Sequence, residues 1–238
     1  MKKVRAFTLV ELLVVVTIIS LLVSILTPSL QRAKGLAKEA VCLTRLHGFM
    51  NAIYMYAGAN RGRIPIGPDD PMSPPMPPLP YNTVASNQLW IGLLKTYNGC
   101  GGLIKAEIPT EDFFFCPGDT SGDPKEELEK LFDRGDEDAY GSYLYRQLDQ
   151  AESPRLDSMG RNDDGLRVKV LILDMNSSMP GLPERSNHGG LKVNIAFIDG
   201  HATTHDNTDE RFSLRRQDIV NPFARLDEIL KEADRLGQ

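Results

Sequence analysis

Residues 7–26 read FTLVELLVVVTIISLLVSIL, an apolar run interrupted by a single charge, Glu11. A helix rises ~1.5 Å per residue, so a run of this length covers a hydrocarbon core of roughly 30 Å. Lys2, Lys3 and Arg5 stand in front of it, and the next charge after Glu11 is Arg32. That basic bias keeps the N-terminus on the cytoplasmic side and sends the remainder across the membrane. A secretory signal has a shorter apolar region, ~7–15 residues, ending at a small-residue cleavage site. Here the run continues into Pro28 and an amphipathic stretch. Glu11 argues against both a signal peptide and a plain anchor. An ionisable group inside a membrane helix is expensive and usually has a partner and a function.

Averaged over the whole chain, the composition is that of an ordinary soluble protein. Over 238 residues, hydrophobic side chains make up 41% and charged ones 25%. Those values exclude collagen-like and highly charged disordered chains. No second long apolar stretch follows, which excludes a polytopic membrane protein. The formal charge of −5 is the wrong sign for a nucleic-acid footprint, so no nucleic acid is expected as a partner. Three cysteines are too few to build a disulfide scaffold.

The segment Ala6-Phe7-Thr8-Leu9-Val10-Glu11 resembles the processing site of type IV prepilins and type II secretion pseudopilins. The resemblance implies cleavage between Ala6 and Phe7 by a membrane prepilin peptidase, followed by N-methylation of Phe7. Glu11 then becomes residue five of the mature chain. Pro28 becomes residue 22, where many pilins also carry a helix-kinking proline. Ala6 departs from the glycine usual before the cut. It keeps the position small, so cleavage is expected to survive. The family gives Glu11 an assembly role that physics supports. Cleavage creates an amine near lipid, and a carboxylate on a neighbouring subunit's helix can neutralise it. Each charge is costly alone in hydrocarbon and much less so in a pair.

From Pro28 the pattern becomes one-sided. Leu30, Ala33, Leu36, Ala37, Ala40, Val41, Leu43, Leu46, Met50, Ile53, Tyr54 and Ala57 recur at spacings of three and four, with charges mainly between them. This predicts an amphipathic helix packing a head, so that one helix, bent at Pro28, runs from Thr8 to about Ala57. Residues 64–80, IPIGPDDPMSPPMPPLP, hold eight of the sixteen prolines and predict an extended surface loop. The spacing of Leu89, Trp90, Leu93 and Leu94 predicts a short helix over 87–97, and Pro124 opens another over 124–132. Strands are expected at 142–146, 167–173, 192–198 and 202–205. Asp199-Gly200 makes the hairpin turn between the last two. Asn221 caps a final helix whose buried stripe is Phe223, Leu226, Ile229, Leu230 and Ala233. The expected organisation is a leader (1–6), a transmembrane and filament-core helix (7–27), an amphipathic helix (28–58) and a head (59–238). The fold class is α+β and pilin-like: a long N-terminal helix on a small antiparallel sheet with long loops.

The head extends the resemblance. Cys42-Leu-Thr-Arg-Leu, Phe115-Cys116-Pro117-Gly118-Asp119, Ser186-Asn-His188-Gly-Gly and Phe197-Ile-Asp199-Gly200-His201 fall in order. They resemble pseudopilin-like proteins with a C-terminal His–nine residues–Asp-Gly motif. Here ten residues separate His188 from Asp199. A one-residue change reverses side-chain facing along a strand unless a bulge or loop absorbs it, and Gly189-Gly190 is placed to absorb it. Cys42 and Cys116 occupy the family's two recurrent cysteine positions. The resemblance therefore implies a disulfide between them, with Cys100 free, on the oxidising side of the membrane. Three buried thiols, or pairing of Cys100 with Cys116, are the alternatives.

His188, Asp199, His201 and His205 lie within eighteen residues and have the chemistry of zinc ligands. No nucleophile motif accompanies them. The favoured reading is structural: His188 and Asp199 fix a loop and a hairpin by hydrogen bonds. Residues 119–123, 162–165 and 206–209 offer oxygen ligands for calcium, as in the calcium-stabilised loop of major pseudopilins. None matches the D-x-[DN]-x-[DN]-G loop, and Asp and Asn form turns without a metal. No cofactor is required. The expectation is a structural subunit, not an enzyme, whose partners are the prepilin peptidase, other pseudopilin subunits and an inner-membrane assembly platform. Its place is the bacterial inner membrane, spanning once, with a periplasmic head. The alternative is an envelope-anchored binding or metal-dependent head that uses the helix only for export.

Overall fold

The computed structural model describes residues 8–67, 85–108, 113–147, 155–178 and 185–237. The Ala6–Phe7 bond and most of the proline-rich loop lie outside the described residues. The architecture is α+β and pilin-like: a long N-terminal helix, α1 (Leu9–Ala59), followed by a small antiparallel head. The chain divides into two compact units, one ending at Lys38 and the other starting at Glu39.

In the first unit α1 is apolar all round. Leu9, Val10, Leu12, Leu13, Val14, Val15, Val16, Ile18, Ile19, Leu21, Leu22, Val23, Ile25 and Leu26 are all exposed. A helix of this kind is stable only where something other than water covers it, a bilayer or other helices. Its start is a capping box. The Thr8 backbone N–H and its hydroxyl both donate to Glu11 Oε2 at 2.8 Å, and the Glu11 N–H donates back to Thr8 Oγ1 at 3.3 Å. Two otherwise unpartnered donors of the first turn are satisfied in this way.

In the second unit the buried stripe of α1 is Cys42, Leu46, Phe49, Met50, Ala52, Ile53 and Ala57. Leu30, Leu36 and Val41 of the predicted stripe are exposed. The other helices are α2 (Gly102–Lys105), α3 (Pro124–Asp133) and α4 (Pro222–Leu236). Among the described residues nine strands follow: β1 (Ala85–Ile91), β2 (Thr96–Tyr97), β3 (Ala139–Arg146), β4 (Val170–Asp174), β5 (Asn176–Ser177), β6 (Arg185–Ser186), β7 (Lys192–Phe197), β8 (Ala202–Asp206) and β9 (Ser213–Leu214). The main sheet has the order β2-β1-β3-β4-β7-β8, antiparallel throughout. A minor sheet has the order β6-β5-β9.

Alternation along the strands divides the core in two. Tyr143 and Tyr145 of β3 pack with the α1 stripe. Leu144 between them packs on the other face with Val193, Ile195 and the α4 residues Leu226, Ile229, Leu230 and Ala233. Both faces of the central strands are therefore covered. That is why β4 reads as a continuous apolar run, VLIL, before Asp174, a pattern more usual in parallel sheets. As expected, α4 starts at Asn221, whose side chain accepts from the Ala224 N–H at 3.2 Å. The Phe223 side chain lies outside the described residues. An ion pair ties α4 to the sheet: Arg146 Nη1 donates to both oxygens of Asp234, at 3.0 and 2.9 Å, and both side chains are buried.

One expectation is corrected. Residues 87–97 do not form a helix; they make β1, a turn at 92–95 and β2. The pairs Trp90↔Tyr97 and Ile91↔Thr96 set the register. Leu93, assigned to the buried helix face, is 78% exposed in the turn. Lys95 takes φ 51°. A β-carbon on Gly92 would stand 2.1 Å from the Asp136 carbonyl oxygen. Pairing with β3 and packing of Trp90 outweigh a local spacing that fits both periods.

Candidate functional site

Two regions carry chemistry. The first is the N-terminus of α1, where Glu11 closes the capping box described above. The second lies inside the head. Cys42 projects from α1, Cys116 from the loop before Pro117, Asp174 from the end of β4, and His188 from the turn ahead of β7. One ligand atom from each falls within 4.8 Å of the other three. Among the described residues this is the one group of three or more His, Cys, Asp or Glu close enough to share an ion.

Several elements converge to build it. Cys116 Sγ is 3.2 Å from His188 Nε2, and the Gly118 N–H donates to the same sulfur at 3.2 Å. Cys42 donates to Asp174 Oδ1 at 3.6 Å and lies 3.1 Å from the Tyr143 hydroxyl. Asp174 Oδ1 also accepts from Asn187 Nδ2 at 3.1 Å. Its Oδ2 accepts from the backbone and side-chain nitrogens of Asn194, at 2.8 and 3.0 Å. His188 sits in left-handed backbone, φ 51°, with Gly189 and Gly190 also at positive φ. This irregular turn leads directly into β7.

The electrostatics are unusual for a head core. Burial pushes the Asp174 carboxyl up to about 7, and Cys116 adds to the effect. The Cys42 hydrogen bond, followed by contributions from His188 and the Gly118 N–H, outweighs burial and pulls the Cys116 thiol down to about 5. Cys42 is pushed up, first by its hydrogen bond to Cys116 and then by burial. Burial works against a charged His188, yet the bond to Cys116 outweighs it and pushes the imidazole up. The Asn194 amide opposes that proton. Its Nδ2 lies 2.9 Å from His188 Nε2, and it is held in this orientation by bonding to Asp174 and by Thr204, which donates to Asn194 Oδ1 at 2.6 Å. An amide nitrogen only donates, so in this contact Nε2 offers its lone pair, in opposition to the donation toward Cys116 that raises the imidazole.

The His188, Asp199, His201 and His205 set does not assemble. His188 enters the buried cluster. Asp199 Oδ1 pairs with His201 Nδ1 at 2.5 Å on the β7–β8 hairpin, and His201 stacks on Phe197 with ring centroids 4.2 Å apart. His205 Nε2 lies 2.8 Å from the Thr203 hydroxyl. Gly200, at φ 90°, makes the turn. The hairpin is tied to α1 by the Tyr54 hydroxyl, which donates to Ile198 O at 2.7 Å, and by His47 Nδ1, 2.8 Å from Gly200 O. The loop acids considered for calcium are engaged locally. Asp119 accepts from Ser121 N–H and the Ser142 hydroxyl, Asp123 caps α3, and Asp206 accepts from Thr208. Cys42 and Cys116, the implied disulfide pair, lie together as thiols; Cys100 is buried elsewhere, and burial raises it to about 12.

Asp174 is the member that reasoning from sequence missed. Its one signal is an acid ending a fully apolar strand. Gly118 is equally part of the site, because a β-carbon there would stand 2.7 Å from the His188 ring. Gly118→Ala is expected to displace that ring and to cost about 1–3 kcal/mol by overpacking. A thermal melt of the purified chain checks it.

Residues 1–27 match the family described as the Prokaryotic N-terminal methylation motif. No curated protein and no solved structure matches the chain. The motif, continuous with the apolar helix, is consistent with a type IV prepilin or pseudopilin. It fits membrane anchoring, and implies processing by a prepilin peptidase and assembly with other pilin subunits.

Proposed function

We propose that this chain is a structural subunit of a type II secretion pseudopilus or a related type IV pilus-like filament, made as a precursor and cut between Ala6 and Phe7. One observation carries the reading. The methylation motif of residues 1–27 runs directly into a helix whose apolar side chains are exposed on every side. Such a surface serves first in the bilayer and then against the equivalent helices of other subunits. The leader takes Lys2, Lys3 and Arg5 with it, so the mature chain is more acidic than the precursor. The head faces the periplasm, following the basic residues left on the cytoplasmic side. An inner-membrane assembly platform extracts the subunit, and the head does no chemistry in assembly.

Intact-mass analysis of the chain, co-expressed with a prepilin peptidase and purified from membranes, tests the first step. The expected product begins at Phe7 and carries one added methyl group on its α-amine. A chain that keeps residues 1–6, or is cut after the apolar run, would sink the proposal.

A further inference from the structure

The buried Cys42, Cys116, Asp174 and His188 group is required neither by the methylation motif nor by the apolar helix. Its members come from four separate stretches of chain, and its shape is that of a ligand set. A tetrahedral ion with zinc-like bond lengths holds its donors roughly 3.3–3.8 Å apart. Here Cys116 Sγ to His188 Nε2 is 3.2 Å, Cys42 Sγ to Asp174 Oδ1 is 3.6 Å, and His188 Nε2 to the other carboxylate oxygen, Oδ2, is 3.7 Å; taking one donor atom from each residue, all four lie within 4.8 Å of one another, so small side-chain adjustments close the set on an ion.

Three further features exceed what a hydrogen-bonded core needs. His188 is held in left-handed backbone with its ring against Gly118, a conformation that persists in a non-glycine residue only where its surroundings impose it. The Gly118 N–H is aimed at the Cys116 sulfur, which favours a thiolate over a thiol. Asp174 is buried with no Lys or Arg among its hydrogen-bond and ion-pair partners. Its partners are thiol, amides and imidazole. An ionised carboxyl group enclosed in this way is costly without a cation.

We propose that Cys42, Cys116, His188 and Asp174 form a closed four-coordinate site for a zinc-class divalent transition-metal ion. On binding, both thiols release their protons to solvent, and the two sulfurs, His188 Nε2 and one Asp174 oxygen take the ion. The Nε2 lone pair that receives the Asn194 amide is the one the ion takes. Two thiolates and a carboxylate against a divalent ion leave one negative charge. The Asn187 and Asn194 amides, the Gly118 N–H and the Tyr143 hydroxyl remain to solvate it and to orient the ligands. All four ligand side chains are enclosed, His188 being only 7% exposed. This is the pattern of a structural site, with no open position for substrate. The ion ties α1 to β4 and to the loops before β3 and β7, a cross-link within the head. A disulfide between Cys42 and Cys116 excludes it, because the disulfide removes both thiolates.

The test uses the full chain in detergent, purified without chelator under argon and reduced with a non-thiol phosphine. Elemental analysis is expected to find one zinc per chain. Cobalt(II) substituted at the site is expected to give thiolate-to-cobalt charge transfer in the near ultraviolet, with the visible bands of tetrahedral cobalt. Cys116→Ser and His188→Ala should abolish both, and His201→Ala should retain both. The wild-type spectrum decides even where a ligand variant fails to fold. No charge-transfer band in the reduced wild type overturns the site. So does a band that survives in folded Cys116→Ser, or peptide mapping that finds a Cys42–Cys116 disulfide in a chain that takes up no cobalt once reduced.

Discussion

Glu11→Gln is expected to leave processing intact and to reduce incorporation into filaments to background. The substitution separates two roles of one carboxylate. Within the chain, Glu11 accepts from the Thr8 N–H and hydroxyl in the capping box. A glutamine oxygen serves that purpose nearly as well, so the start of α1 survives. The charge does not. In the proposed filament that charge meets the amine created at Phe7 of a neighbouring subunit, where neither is well solvated alone. Glu11→Ala removes cap and charge together and cannot tell the two apart. The measurement is a pair of readings: intact mass for cleavage and methylation, and the sheared surface fraction for assembly. A Glu11→Gln chain that assembles like wild type would place the carboxylate's importance in helix capping and remove the intersubunit pair from the proposal.

Asp234→Ala is expected to cost the head about 3–5 kcal/mol, because removing one partner of a buried pair strands the other. Arg146 Nη1 donates to both Asp234 oxygens, and both side chains are almost fully enclosed. Asp234 also accepts from the Lys169 and Val170 backbone N–H groups and from Asn162 Nδ2, at 2.9–3.0 Å. The substitution therefore orphans a guanidinium and several donors at the seam between α4 and the sheet. A domain of this size has roughly 5–15 kcal/mol to lose, so the expected readout is a head that melts far earlier and is lost to proteolysis. Arg146→Met with Asp234→Leu replaces the pair by apolar volume and should recover much of the loss. Equal damage from the double and the single variant would mean that the backbone donors, and not the stranded charge, dominate.

Much of this fold was legible because local signals and tertiary packing agree. The apolar run and the three-four spacing mark α1, the strand expected at 192–198 is β7, Asp199-Gly200 makes its hairpin, and Asn221-Pro222 opens α4. At β1 they disagree. Leu89, Trp90, Leu93 and Leu94 suit a helical face as well as a strand and turn, and only the partner β3, some fifty residues on, decides. The candidate metal site was hidden for a similar reason. Its members stand at 42, 116, 174 and 188, so nearness in sequence pointed from His188 toward His201 and His205 instead. Cys42 and Cys116 were noticed as an implied disulfide pair, and His188 as part of a different set. Asp174 is marked only by its place at the end of a strand that the sheet buries on both faces.

The main sheet ends on one side in β2, which is only Thr96–Tyr97, and on the other in β8, whose side chains are Ala, Thr, Thr, His and Asp. Short or polar borders of this kind give a foreign strand little to zip onto. Heads crowded along a fibre would then stay separate, without merging into one continuous ribbon. In the proposed filament that leaves packing of the apolar helices as the principal contact between subunits.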